Sequence, residues 1–216
     1  MHIEPGYLAP AKVMLANVTA LGLLGAYARG FMKRPADLLR TLVAAFFFSL
    51  FMESFHMSVG ASELHFVGAM AIYLTLGFLP TLFGFAAGLL LQGLLFEPQD
   101  LPHLAVNALS LIVPLLAVHY AQGRRLRETS RAIRWRTILK LDALYYTGVT
   151  LMVGFWLLIA EIPTPLTAWA TFAASYLALV ACEPLVTWAT VRLLKRYEHT
   201  RLVDLCFAVK PLRLAS

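Results

Sequence analysis

Long apolar runs separated by short polar islands dominate this chain. A membrane-crossing helix needs about 20 mainly apolar residues. Runs of roughly that kind place helices at 11–28, 38–55, 65–79, 81–96, 103–122, 142–160 and 166–193. The third and fourth are short and meet at Gly77-Phe78-Leu79-Pro80. A tight turn before Pro80 divides them most simply, because the residue before a proline disfavours helical backbone. Segment 56–64, His-Met-Ser-Val-Gly-Ala-Ser-Glu-Leu, is too small and polar to span. It reads as a loop, external or re-entrant, that leads into the third helix. Irregular backbone at membrane depth survives only where protein or a cavity covers it. The expected fold is therefore all-α: a polytopic helical bundle of about seven transmembrane helices, forming one domain over residues 1–216.

Composition strengthens this picture. The chain is 60% hydrophobic and 14% charged, whereas soluble domains run near 45–50% apolar and about 25% charged. A small soluble core cannot hide that surplus; lipid can. The net charge of +6 raises the question of nucleic acid, and the placement of the charge answers it. Lys12, Arg29, Lys33, Arg34 and Arg40 are followed by no Lys or Arg until Arg124. A cluster from Arg124 to Lys140 comes next, then an empty stretch from Leu141 to Val191, then a basic tail. Basic islands between uncharged blocks mark cytoplasmic loops, and a nucleic-acid face would not need those blocks. The positive-inside rule puts the N-terminus outside and the C-terminus inside. The outer loops then carry Glu63, Glu97, Asp100 and Glu161 and neither Lys nor Arg.

Several chemistries are missing. Gly25 to Gly30 has the gap of a phosphate-binding loop, but Phe31 stands where Lys is required. No Gly-x-Ser-x-Gly elbow or His-Glu-x-x-His pair occurs. Cys182 and Cys206 lack metal-ligand spacing and read as ordinary thiols. The chain opens Met-His-Ile-Glu-Pro-Gly, without the basic stretch and apolar core of a signal peptide, so Met1 is the expected mature N-terminus.

That terminus offers chemistry. The Met1 amine, the His2 amide once deprotonated and the His2 imidazole are three successive nitrogens that close fused chelate rings in one plane. Planar nitrogen coordination suits Ni(II) or Cu(II) rather than tetrahedral Zn(II). The same dipeptide also reads as a solvent-exposed end, as most termini are. His65 lies on the same expected side, in a Gly- and Ser-rich segment beside Glu63; it reads as a site residue or an interfacial one. His56 reads as a loop residue or a partner of His65. His103, His119 and His199 are assigned to structure or solvent. Asn17, Glu53, Gln92, Asn107 and Glu183 fall inside spans, where polar groups usually face the bundle interior. Ala16 and Ala20 have the spacing that permits close helix approach, either to a partner protein or within the bundle.

The residues together resemble the CbiM/NikM family, the substrate-binding membrane components of cobalt and nickel energy-coupling-factor (ECF) transporters. The resemblance rests on Met1-His2-Ile3 through Gly6, on Ser62-Glu63-Leu64-His65-Phe66-Val67-Gly68-Ala69, on Leu90-Leu91-Gln92-Gly93-Leu94-Leu95-Phe96 followed by Asn107, and on Glu183 with Val186-Thr187. These blocks lie in order over nearly the whole chain. Two departures stand out: Glu97-Pro98-Gln99-Asp100 where the family often has Gly-Asp-Gly-Gly, and Glu63 close to His65. The resemblance implies a metal site formed by Met1, His2 and His65, with four nitrogens on Co(II) or Ni(II). Ser62 and Asn107 would support the loop that closes over the ion. It implies no enzymatic activity and no organic cofactor. It further implies a multi-pass protein of the bacterial inner membrane that works with a transmembrane coupling protein and ATP-binding subunits. Readings from other classes are a membrane metal sensor or assembly factor, and a metal-dependent membrane enzyme.

Overall fold

The computed structural model describes Ile3 and residues 6–59, 62–128 and 132–214. Met1 and His2, two of the three expected metal ligands, lie outside the described residues. Helices α1 (Pro10–Met32) and α2 (Pro35–Ser54) come first. A two-stranded hairpin follows, β1 (His56–Val59) and β2 (Ser62–His65), then α3 (Ala69–Leu76) and α4 (Phe78–Leu95). A 3-10 segment, Pro98–His103, leads into α5 (Leu104–Val118), which widens into a π turn at His119–Gly123 and ends in the short α6 (Arg124–Glu128). Strand β3 (Ala132–Ile133), α7 (Trp135–Leu158), α8 (Leu166–Arg196), α9 (Arg201–Cys206) and β4 (Arg213–Leu214) complete the chain. Strands β3 and β4 pair in parallel, Ala132 with Arg213 and Ile133 with Leu214, which ties the tail to the loop before α7.

Among the described residues six helices are long and apolar enough to cross a membrane. The third expected helix, read as 65–79, is the exception: α3 has 8 residues. At 1.5 Å per residue it covers about 12 Å, under half of a hydrocarbon core about 30 Å thick. All 8 of its residues are buried, so the bundle surrounds it and no lipid contact demands greater length. The break after it falls at Gly77, three residues ahead of Pro80. Gly77 has φ +102°, a conformation open to glycine and costly for other residues. Pro80 then sits in the first turn of α4, where its missing N–H costs nothing.

The segment 56–64 departs further from expectation. It is a β-hairpin, with His56 opposite His65, Met57 opposite Leu64, Ser58 opposite Glu63 and Val59 opposite Ser62. The ladder continues to Phe66, whose N–H donates to the Phe55 carbonyl. Strand pairing supplies the backbone hydrogen bonds that a loop in this position would lack.

Side chains on α1 show which faces meet lipid. Met14, Leu15, Val18 and Leu21 are exposed, whereas Ala16 and Ala20 are buried. The alternative of a partner surface at Ala16 and Ala20 is thereby overturned: the pair is covered within the bundle, where α1 packs on α5. A close helix approach lies elsewhere, between α2 and α4. A Cβ on Gly84 would stand 2.5 Å from Ala44 Cβ, and one on Gly88 would stand 2.5 Å from the Phe48 ring. Glycines four apart let these backbones touch, and Ser49 Oγ donates across the gap to the Gly88 carbonyl at 3.1 Å. A leucine at Gly88 has no room. Gly88→Leu should lower stability by about 1–3 kcal/mol or more through overpacking. Thermal unfolding in detergent measures this, with Gly25→Leu as the control because nothing lies within 4 Å of a Cβ built there.

Candidate metal-capture site

The site is built around one residue of the N-terminal segment. Ile3 is fully buried, and its main chain is gripped on every side. Its N–H donates to Asn107 Oδ1 at 3.1 Å. Its carbonyl accepts from His103 Nδ1 at 3.0 Å. It also forms an antiparallel bridge with Ser62 of β2. Because Ser62 pairs with Val59 on one edge, Ile3 takes the other edge of β2. His103 and Asn107 are four residues apart at the start of α5, so one helix face presents both. Both are buried, and the two bonds satisfy polar groups that would otherwise be costly to bury. Gly6 follows in a turn at φ +97°, and the Tyr7 carbonyl accepts from the Glu161 N–H in the α7–α8 connection.

Of the expected ligands His65 alone lies among the described residues. It ends β2 with 1% of its surface exposed. Its Nε2 lies 3.1 Å from Glu63 Oε2, and its ring stacks on His56 with centroids 6.0 Å apart. His56 Nδ1 stands 3.8 Å from Glu63 Oε1, so Glu63 lies between two imidazoles. Of the two sequence readings of His56, the one that pairs it with His65 matches the geometry. Gly68 turns the chain after β2 at φ +61°, and a Cβ there would sit 2.4 Å from the Phe51 ring. That position therefore demands glycine on two counts. Among the described residues no group of three or more His, Cys, Asp and Glu is placed to hold a metal ion.

Sequence reasoning missed His103, which it left to structure or solvent. The His103-x-x-x-Asn107 spacing on one helix face was the available signal. His119 is structural: its Nδ1 lies 2.9 Å from the Tyr73 hydroxyl, and its ring stacks on Phe78. His199 is solvent-exposed. Gln92 Nε2 donates to Glu53 Oε1 at 3.2 Å, joining α4 to the end of α2.

Carboxylates gather at this end of the bundle. Burial pushes the Glu97 carboxyl up to about 7, and the neighbouring charges of Glu63, Asp100 and Glu53 add to that, with His56 opposing. Gln92, Glu97, Asp100 and Asn107 line one narrow cavity. Lys12, near the start of α1, is engaged: its Nζ donates to the Ile159 carbonyl at 2.6 Å and stands 4.0 Å from Glu161 Oε1.

The profile of the CbiM family, described as "Cobalt uptake substrate-specific transmembrane region", matches residues 2–201. Two crystal structures share the fold. One, described as a transition metal transporter, is 19% identical, with a TM-score of 0.72 over 94% of this chain and 96% of its own. The other, described as a truncated transition metal transporter, is 20% identical, with a TM-score of 0.72 over 92% of this chain and 100% of its own. No curated protein matches the chain.

The raised Glu97 value makes stability depend on pH. The folded state holds this proton more tightly than the unfolded chain, so ionisation destabilises the fold. The penalty is absent below the ordinary carboxylate range, develops as pH rises towards about 7, and is complete above it. Glu97→Gln should therefore raise the unfolding temperature at pH 8 and leave it nearly unchanged at pH 4.5. An equal effect at both values would show that Glu97 charge is not the cause.

Proposed function

The chain belongs to the CbiM family of cobalt uptake transmembrane regions, and on that premise we propose that it captures Co(II) or Ni(II) at the outer face with its own N-terminus for import. Family membership makes it a membrane component of transition-metal transport rather than an enzyme. The finer reading is that four nitrogens take the ion: the Met1 amine, the His2 amide and imidazole, and the His65 imidazole. One observation carries it. Ile3, next in sequence to the expected ligand His2, is pinned to Ser62 of the strand that ends in His65.

The chemistry of the donors agrees with that reading. The His65–Glu63 hydrogen bond puts the imidazole proton on Nε2 and the lone pair on Nδ1, the nitrogen that would face the ion. Metal-binding histidines usually give their second nitrogen to such a carboxylate partner. Loss of the amide proton gives the nitrogen set one negative charge against the ion's two positive ones, which lowers the cost of holding it in a low-dielectric bundle. His103 and Asn107 hold the main chain of Ile3, and on this reading that hold would bring the amine and amide to the imidazole. Import would require the coupling protein and ATP-binding subunits of an ECF transporter in the bacterial inner membrane, since this chain carries no phosphate-binding loop. The basic islands favour a terminus outside and a tail inside.

Position, not composition, is what this site demands. One residue added before Met1 converts the terminal amine into an amide and breaks the ring pattern. That variant, His2→Ala and His65→Ala should each abolish high-affinity Ni(II) and Co(II) binding by the purified protein, whereas a tag after Ser216 should not. Binding by the unmodified protein should weaken below about pH 7, as the amine and imidazoles take up protons. Wild-type affinity in an extended variant confirmed intact by mass spectrometry would rule out the terminal chelate. Cellular uptake separates import from sensing: a sensor would bind the ion without raising its uptake.

A further inference from the structure

Basic residues that metal capture does not use converge on a second cavity. It lies away from the carboxylates: His119, on its wall, is about 18 Å along α5 from Asn107 at the helical rise. The last turns of α1, the start of α2, the break between α3 and α4 and the π turn after α5 enclose about 510 Å³ there, an ordinary volume for a small-molecule site. Three arginines from separate parts of the chain line it, Arg34 at the α1–α2 link, Arg40 on α2 and Arg124 after the π turn, against one carboxylate, Asp37. That carboxylate is engaged, with Arg40 Nη1 3.6 Å from Asp37 Oδ1. Arg40 also donates through Nη2 to the Phe207 carbonyl at 3.1 Å, which ties it to the tail. Arg34 and Arg124 are exposed. Helix α2 starts beside Arg34 without a side-chain cap, and the partial positive charge of its N-terminus adds to that of the arginines.

The remaining wall is apolar and aromatic. Gly30 faces Leu79 with room to spare, since a Cβ built on it comes no nearer than 3.8 Å. The Phe78 ring stacks on His119 with centroids 3.8 Å apart, and the Tyr27 and Tyr120 hydroxyls share a hydrogen bond of 2.7 Å. Arginines and tyrosine hydroxyls above an apolar wall suit the membrane–water interface. A soluble anion would use the arginines alone, whereas a phospholipid uses both halves of the cavity.

We propose that this cavity binds the phosphate of an anionic phospholipid, drawn from the leaflet on the side of the basic islands. Arg34 and Arg124 take the phosphate oxygens, and the glycerol and upper acyl carbons lie against Gly30, Phe78 and Leu79. A guanidinium suits the phosphate because its planar fork meets two oxygens at once, and basic pockets between helices are a recurring form of lipid headgroup site. The bound lipid bridges the α1–α2 link to the end of α5 and fills the gap between them.

The test gives the full-length protein in detergent either phosphatidylglycerol or phosphatidylcholine with identical acyl chains, and counts bound lipid by native mass spectrometry. Wild type should retain phosphatidylglycerol at least about fivefold better, the equivalent of one arginine at an anionic surface. Arg34→Gln with Arg124→Gln should remove that preference. Arg196→Gln with Arg201→Gln removes the same charge from exposed positions outside the cavity and should keep it. Each cavity substitution alone should give part of the loss, and the single variants decide the matter if the pair does not fold. Thermal unfolding is the second readout: phosphatidylglycerol should stabilise wild type and the control pair but not the cavity pair. Equal loss in both pairs overturns the site in favour of diffuse attraction to the basic surface, and absence of any preference in wild type overturns it outright. Glycerol phosphate and inorganic phosphate form the soluble arm. Arginine-dependent stabilisation by either one, without stabilisation by the lipid, overturns the lipid as occupant.

Discussion

The pair of hydrogen bonds that Asn107 and His103 make to the main chain of Ile3 is the constraint on which the candidate site depends. A chain terminus has every entropic reason to fray. Here the third residue is fully buried, and its amide and carbonyl are both matched by side chains one turn apart on α5. Neither partner is replaceable by an apolar group without stranding a buried backbone group. The antiparallel bridge to Ser62 uses the same grip to align Ile3 with β2. Everything proposed for metal capture follows from this alignment, because a planar nitrogen chelate tolerates little error in where its donors sit.

Much of the fold was legible in the sequence, for a simple reason. Lipid imposes length and polarity on helices, and a run such as Val43 to Leu50 admits few other readings. The island pattern of Arg and Lys carried orientation information that no packing detail could supply. What the sequence concealed was whatever protein, rather than lipid, surrounds. Helix α3 is short because it is enclosed, and enclosure does not show in an apolar run. The hairpin at His56–His65 was hidden because its two central residues are small and its strands are short. The glycine contact of α2 with α4 was overlooked in favour of Ala16 and Ala20, since spacing alone does not reveal which small residues face a neighbour.

The site divides in the same way. His65 was visible because a histidine beside a carboxylate in a Gly- and Ser-rich segment is chemically conspicuous. His103 was not, because its partner is a backbone carbonyl 100 residues away. Its meaning appears only once Ile3 is seen against α5 and β2. Glu183 drew notice as a polar residue in a span, yet nothing in its neighbourhood along the chain named Tyr146, whose hydroxyl donates to it.

The arrangement of charge along the bundle supplies the last step. One end of the bundle gathers Glu53, Glu63, Glu97 and Asp100 closely enough that burial and mutual repulsion hold the Glu97 proton to about pH 7. A divalent cation approaching that end meets a negative potential, and arrival of two positive charges relieves the repulsion that the carboxylates impose on one another. The basic islands, by contrast, repel the same ion. Oxygen donors are the poorer match for Ni(II) or Co(II), and nitrogen the better one. Carboxylates therefore suit collection, and the proposed nitrogen chelate would suit retention. An ion drawn to these carboxylates would, on that reading, move on to nitrogen donors, and the His65 imidazole stands hydrogen-bonded to one of the carboxylates, Glu63.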